Sequence, residues 1–320
     1  MFLHIYTYGG YSLFFFNYVG YATVVTQSIQ PIYQFVYLFT TKQGQQRVLK
    51  HVMATNRSTI PFWKEFKIAT QSPAGIYQYL SLALPGIIII SEWWASEVSI
   101  FLSGTLIPNG SLALGAMTIY QSMNTSCFVI PVGCSIAGST RVSNFLGGGD
   151  ERGAALAAKV CVFSGGLFSL TLACILFFTP RYIFPSLFTP DEFIIHEVSK
   201  LIPLLSIYVI GDGIQTSLNG IIKGCGRQCI VMPIVLIAYW LVGVPLAYYF
   251  SFILNEGTMC EDNFFCGVNG LVSGIAIGTW IHMLLLAFVV VFRINWSVEV
   301  IKAKERLENN AGHLLYIRSP

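Results

Sequence analysis

Three carboxylic acids interrupt the apolar stretches of this sequence: Glu92, Glu97 and Asp212. The first two follow four isoleucines in IIIISEWWASEVSIFLSG, and the third lies in VIGDGIQTSLNG. An isolated carboxylate at the centre of a bilayer costs about 2.5–3.5 kcal/mol, so such groups face a wet cavity, carry a proton or bond to a neighbouring helix. A carboxyl group that takes up a proton on one side of a membrane and releases it on the other performs the chemistry of a proton-coupled transporter. A cationic solute competes for the same charge.

The acids differ in where a helix would aim them. On a straight helix Glu92 and Glu97 point about 140° apart, so one can face a central cavity while the other faces a site inside its own bundle. Asp212 shares one helix face with Gln215 and Asn219, which makes a polar stripe in an apolar helix.

Two further polar sites leave alternatives open. Tyr120 and Asn124 are four residues apart on one helix face, with Gln121 beside them. These three side chains line a solute path or hydrogen-bond between helices. His282, in the last apolar stretch, is a candidate proton carrier or a neutral histidine bonded to a neighbour.

The composition places these residues in a membrane. Of the 320 residues, 54% are hydrophobic and only 10% are charged, whereas soluble domains are typically about 25% charged. The small net charge of +3 gives no indication of a nucleic-acid partner. We expect an all-α polytopic membrane protein, with the lipid bilayer as its surroundings and about seven transmembrane helices. The candidate spans are 11–40, 78–105, 112–138, 155–179, 199–222, 229–254 and 267–293.

The basic residues predict the orientation. All 18 lysines and arginines except Arg181 and Lys200 lie in the segments 41–68, 139–159, 223–228 and 293–320. By the positive-inside rule these segments are cytoplasmic, so the C-terminus is expected on the cytoplasmic side. The sequence does not distinguish the plasma membrane from the vacuolar membrane.

The cysteines indicate no metal site. Cys225 and Cys229 are four residues apart, but no histidine or acid nearby completes a ligand set. Cys260 and Cys266 flank the polar loop EDNFF, and they form a disulfide if that loop lies on an oxidising side.

Several motifs resemble those of eukaryotic multidrug and toxic compound extrusion (MATE) transporters. SEWWASEVSIFLSG resembles the family's seventh span, with its EWW…E…LSG pattern. IPVGCSIAGSTRVSNFLGGGDERGAA is similar to the signature IPxGxxxAxSTRVxNxLGAGxxxxA, although GGGDE departs from the usual wording. LFTPDEFIIHEVSKLIPLLSI and DGIQTSLNGIIKGCGRQ resemble the entry and the end of the tenth span.

The resemblance implies twelve helices in two six-helix lobes, of which this chain matches the C-terminal lobe plus one preceding helix. The expected organisation is therefore a last N-lobe helix (1–40), a cytoplasmic linker (41–74), a transport lobe (75–293) and a cytoplasmic tail (294–320) with a solvated, basic end. The implied activity is export of organic cations or xenobiotics in exchange for protons, without a cofactor and without enzymatic chemistry. Glu92, Glu97 and Asp212 match the family's proton-coupling acids.

Alternative functions remain in view. Because five N-terminal spans of the family pattern are absent, a non-transporting membrane protein that only assembles with partners is the second hypothesis. An intramembrane aspartyl protease requires two paired aspartates, and Asp212 is the only aspartate inside a predicted span. A lipid-linked sugar flippase is expected to place basic residues in its cavity, and the predicted spans carry none near their centres.

Overall fold

The computed structural model describes residues 73–260 and 263–316, together with a few positions between residues 25 and 37. The chain divides into two units, Met1–Leu80 and Ser81–Pro320. Apart from residues 73–80, the features below belong to the second. Apart from the few positions between residues 25 and 37, the predicted first span (11–40) and nearly all of the predicted linker (41–74) lie outside the described residues.

The described chain is a succession of helices with short connections. They are α1 (Pro73–Ser103), α2 (Gly110–Gly148), α3 (Glu151–Phe178), the single turn α4 (Ile183–Ser186), α5 (Glu192–Gly224), α6 (Gln228–Ile253), α7 (Gly267–Arg293) and α8 (Trp296–Tyr316). Among the described residues the one β-type pairing is an isolated bridge between Ile107 and Thr258, which lie in the connections between helices. The prediction of an all-α fold is therefore confirmed.

Five of these helices are long and apolar enough to cross a membrane: α1 from Ala83 onward, α3, α5, α6 and α7. Helix α2, which covers the predicted span 112–138, has 39 residues. At 1.5 Å per residue it is about 58 Å long, well beyond a hydrocarbon core of about 30 Å. Its mean hydropathy is too low for it to count among the five apolar helices. Polar residues of α2, Asn124 among them, belong to the site described below.

Helix α5 lies at the centre of the bundle and packs against α2, α3 and α7. Small residues permit this close packing, as in membrane helices generally. A Cβ atom added at Gly213 would overlap Ser169 of α3, and one added at Gly220 would meet the backbone oxygen of Ser135 in α2. The glycines next to the predicted polar stripe therefore bring α5 against its neighbours.

The turn between α2 and α3 lies within the GGGDE segment. Gly149 ends α2 in the left-handed conformation, with φ of 80°, which glycine adopts without a steric penalty. Asp150 then caps α3, because its side chain accepts a hydrogen bond of 2.9 Å from the Gly153 backbone N–H. Gly149 matches the second glycine of the LGAG signature, so the helix stop is one that the family wording also contains, and Asp150 supplies the helix start.

Helix α6 alternates between α and π geometry, with π-helical turns at Leu236–Gly243 and Tyr249–Ile253. A π turn rotates the residues that follow it relative to a regular helix, and such turns are frequent at functional sites. The first π turn contains Tyr239, which is 2% exposed and faces the interior of the bundle.

The connection between α6 and α7 is joined to the connection between α1 and α2. Ile107 donates a backbone hydrogen bond to Gly257 and accepts one from Met259, both of 2.8 Å. Cys260 and Cys266 form a disulfide in the same connection. Both connections therefore lie at one end of the bundle.

Helix α8 packs at the opposite end of the chain's helices, against α2 and α3. The carboxylate of Glu299 is 1% exposed and forms an ion pair with Arg227, which lies between α5 and α6. Arg306 donates a hydrogen bond of 3.0 Å to the Cys225 carbonyl oxygen. The segment predicted as a solvated tail thus begins with turns that are held on the bundle.

Candidate functional site

A cleft inside the bundle brings together four of the polar residues that the sequence singles out. Its walls come from α1, α2, α5 and α6, and they include two of the three acids, Glu92 and Asp212. The lining residues are Glu92, Trp93, Ser96, Gln121, Asn124, Phe128, Tyr208, Asp212 and Tyr239. No lysine or arginine is among them.

Glu92 contacts side chains from two other helices. Its Oε2 accepts a hydrogen bond of 2.9 Å from the side-chain amide of Gln215 on α5. The same oxygen lies 3.5 Å from Nδ1 of His282 on α7, which is long for a hydrogen bond but within reach of an ion pair. The Glu92 side chain is 15% exposed and the His282 side chain is fully buried. Residues from three helices thus meet at one carboxylate.

Tyr239 extends this set of contacts to a fourth helix. Its hydroxyl donates to Oε1 of Gln215 at 3.1 Å and lies 3.0 Å from the hydroxyl of Thr279 on α7. Its ring stands edge-on to His282, with 5.6 Å between the ring centroids. A connected, buried polar network of this kind is sensitive to any change in one member, because each group depends on the others for its partners.

Asp212 lies on α5, one turn before Gln215, and is 8% exposed. It faces the same cleft as Glu92. Gln215 and Asn219 of the predicted stripe are also buried. Asn219 does not line the cleft, and its side-chain oxygen has no hydrogen-bond partner among the described residues.

The polar residues of α2 lie beside the acids. Gln121 and Asn124 line this cleft. They also line an adjoining cleft, and Tyr120 lines that second cleft only. The side-chain oxygen of Asn124 is buried and has no partner in the described part of the chain.

Glu97 does not join this group. It is exposed on the outside of α1, whereas Glu92 points inward. The helical geometry that separates the two glutamates by about 140° predicts this division. Within the described residues, therefore, the structure brings Glu92 and Asp212 together and places the third acid elsewhere.

Aromatic rings form the remaining wall of the cleft. Trp93 and Phe128 pack edge-on with 5.2 Å between their centroids, and both line the space next to Glu92. Tyr208 and Tyr239 complete the aromatic lining. Aromatic faces next to a carboxylate attract organic cations through the ring quadrupole and through charge.

Sequence reasoning did not single out Tyr239, Thr279 or Tyr208. Tyr239 lies in an apolar run without a polar partner at helical spacing, so no local pattern points to it. Tyr208 lies four residues before Asp212, and Thr279 lies three residues before His282, a helical spacing that could have pointed to both. Which side chains they meet on other helices depends on which helices are neighbours, and no local pattern carries that information. The sequence leaves two roles open for His282, a proton carrier or a neutral histidine bonded to a neighbour. The structure places it beside Glu92.

Residues that could hold a metal ion are not grouped in the described ranges, where no set of three or more His, Cys, Asp or Glu side chains converges. The free cysteines Cys225 and Cys229 belong to no such set in the described part of the chain. The arrangement offers carboxyl, amide and phenol groups, which bind protons and cations by charge and hydrogen bonding.

The fold and the cleft define a polytopic, all-helical membrane protein with paired interior acids. Comparison with known proteins identifies its family. The MatE family model matches residues 86–249, and this chain belongs to that family.

The same relationship appears in complete relatives. The chain is 31% identical to Protein DETOXIFICATION 36 of Arabidopsis thaliana over 77% of its own length and 45% of that protein. It is 33% identical to Protein DETOXIFICATION 4 of the same plant over 75% of its own length and 48% of the relative. The chain thus spans about half the length of these relatives.

A solved structure shows the same fold. The crystal structure of the eukaryotic MATE transporter AtDTX14 superposes with a TM-score of 0.69 and 28% identity, covering 85% of this chain and 54% of that one. The resemblance drawn from the motifs is therefore confirmed, and the multi-pass membrane class with it.

Proposed function

We propose that this chain forms one lobe of a proton-coupled antiporter that exports organic cations or xenobiotics by alternating access. The observation that carries the proposal is the placement of Glu92 and Asp212 in one buried cleft without a lysine or arginine in its lining. Membership of a family whose named relatives are detoxification proteins supports the transport class.

The proposed coupling uses the two acids as one unit. Two carboxylates facing one cleft of low dielectric repel each other, and a bound proton relieves that repulsion. A cationic solute at the aromatic wall relieves it as well, so proton and solute compete. Competition between a proton and a solute for one negative site is sufficient for exchange when the cleft opens alternately to the two sides.

The hydrogen-bond network gives this exchange a structural consequence. When Glu92 gains or loses a proton, the acceptor of the Gln215 amide changes, and Tyr239 and Thr279 are bonded behind Gln215. The π turn that carries Tyr239 is the element proposed to respond. Glu97, on the outer face of α1, is proposed as a second acid for a solute path outside this lobe.

The test is pH-gradient-driven uptake of a fluorescent organic cation, such as ethidium, into proteoliposomes. The chain is reconstituted alone and, in parallel, fused behind the part of AtDTX14 that its structural match leaves uncovered. We expect Glu92→Gln and Asp212→Asn to abolish gradient-driven uptake without changing the amount of inserted protein. Glu192→Gln, which alters an exposed acid at the start of α5, serves as the matched control. Uptake that persists in both cleft variants contradicts the proposed mechanism.

A second candidate is a non-transporting membrane protein that assembles with partners. The chain covers 45–48% of the length of two relatives, so comparing the chain alone with the fusion separates the two candidates. Uptake by the fusion but not by the chain alone supports the lobe proposal together with a need for a partner lobe. If neither preparation transports while both are folded, the second candidate is the better account.

A further inference from the structure

A second cleft opens on the surface of the bundle, between the beginning of α3 and the junction of α7 with α8. Its lining residues are Glu151, Arg152, Ala155, Phe292, Arg293, Ile294, Asn295, Trp296 and Ser297. None of them belongs to the interior site. Three helix ends approach this cleft: the start of α3, the end of α7 and the start of α8. Its residues 151–155 and 293–297 lie in the segments 139–159 and 293–320, which are predicted to be cytoplasmic.

Two arginines define the charge of this cleft. Arg152 and Arg293 are both exposed, and the ion pairs found in the described chain involve neither of them. Glu151 also lines the cleft, and its carboxylate accepts a hydrogen bond from the Ser297 hydroxyl. The balance of one carboxylate against two guanidinium groups leaves a net positive cleft. The beginning of α3 adds the positive end of a helix dipole.

The cleft continues into an apolar surface. Phe292 is 72% exposed in its lining, and Leu156, one turn along α3 from Arg152, is 63% exposed. Val160 and Phe288, one turn further on the same two helices, are exposed as well. Trp296 lies at the boundary between this apolar surface and the arginines, where tryptophan is enriched in membrane proteins.

We propose that this cleft binds the headgroup of an anionic phospholipid, whose acyl chains lie along the exposed apolar residues of α3 and α7. Guanidinium groups bind phosphate oxygens in pairs, and basic pockets between helices at the cytoplasmic side are suited to acidic headgroups. A soluble phosphate ester would engage the arginines but would leave the neighbouring apolar surface unused. The combination of the two surfaces therefore favours a lipid.

The experiment measures binding of dioctanoyl phosphatidylserine to the detergent-purified full chain by microscale thermophoresis. Dioctanoyl phosphatidylcholine is the neutral lipid, and glycerophosphoserine is the same headgroup without acyl chains. We expect phosphatidylserine to bind at least tenfold more tightly than either of them. The double variant R152Q/R293Q is expected to bind both lipids equally weakly.

The control R141Q/R181Q removes the same total charge at two exposed arginines outside the cleft and is expected to keep the preference within a factor of two. Equal affinity for the two lipids, or an equal loss in the control, overturns the proposal. Equal affinity for glycerophosphoserine overturns the assignment to a lipid and indicates a soluble anion. If R152Q/R293Q aggregates on gel filtration, the single variants R152Q and R293Q replace it, and each must weaken phosphatidylserine binding at least threefold.

Discussion

Removing the charge of Arg227 is predicted to destabilise the lobe strongly. Its partner Glu299 is 1% exposed, while Arg227 itself is 17% exposed. Breaking a buried ion pair by removing one member costs about 3–5 kcal/mol, because the remaining charge is buried without compensation. With a shift of about 2–4 °C per kcal/mol for a unit of 150–250 residues, Arg227→Gln is expected to lower the melting temperature by about 6–20 °C.

The partner substitution is predicted to cost less. Glu299→Gln leaves Arg227, which is partly exposed and also reaches the Arg293 carbonyl oxygen at 3.5 Å. The double variant R227Q/E299Q leaves no buried charge, so it is expected to be more stable than Arg227→Gln alone. This non-additivity is the signature of a direct pair.

The thermal assay uses a thiol-reactive fluorescent dye. Burial, and then the nearby Glu299 carboxylate, raise the pKa of the Cys225 thiol to about 12, so this cysteine reacts slowly until the lobe unfolds. Because both variants change the surroundings of Cys225, circular dichroism melts provide an independent midpoint. If the melting-temperature shifts of the two single variants add up in the double variant, or if they are below about 1 °C, this pair does not hold α8 on the bundle.

Three further predictions concern packing, capping and the disulfide. Gly220→Ala is expected to lower stability by about 1–3 kcal/mol through overlap with the Ser135 backbone, whereas Gly133→Ala, with open space around it, is expected to be neutral or stabilising in the same thermal assay. Asp150→Ala removes the cap of α3 and is expected to cost about 1 kcal/mol, with Asp150→Asn retaining most of the stability; equal losses would exclude a capping role. Reduction of the disulfide, or replacement of Cys260 and Cys266 by serine, is expected to cost about 2 kcal/mol, and intact-protein mass spectrometry under non-reducing conditions tests whether the bond is present.

The sequence predicts the interior acids because a carboxylate in an apolar run is conspicuous by itself. It also predicts that Glu92 and Glu97 separate, since helical geometry alone decides this. The partners of Glu92 are another matter. Gln215 and His282 lie 123 and 190 positions further along the chain, and their meeting depends on α5 and α7 packing beside α1. No periodicity within one helix contains that information.

The terminal helix illustrates the same limit. A run of alternating charges such as VEVIKAKERLENN predicts a solvated helix. In the structure Glu299 is buried, because Arg227 lies at the junction of α5 and α6 and forms an ion pair with it. A distant counter-charge thus reverses what the local pattern favours, and it also gives the KGCGRQ motif a contact that the resemblance alone does not supply.

The bridge between Ile107 and residues 257–259 constrains how this lobe can change shape. Two backbone hydrogen bonds join the connection between α1 and α2 to the connection between α6 and α7, so we expect these two connections to move together. If the lobe opens, we expect the helices to bend between their ends rather than to separate at this joined end, and the π turn of α6 that contains Tyr239 is the expected place. In such a motion the joined end stays fixed and the helices bend between their ends.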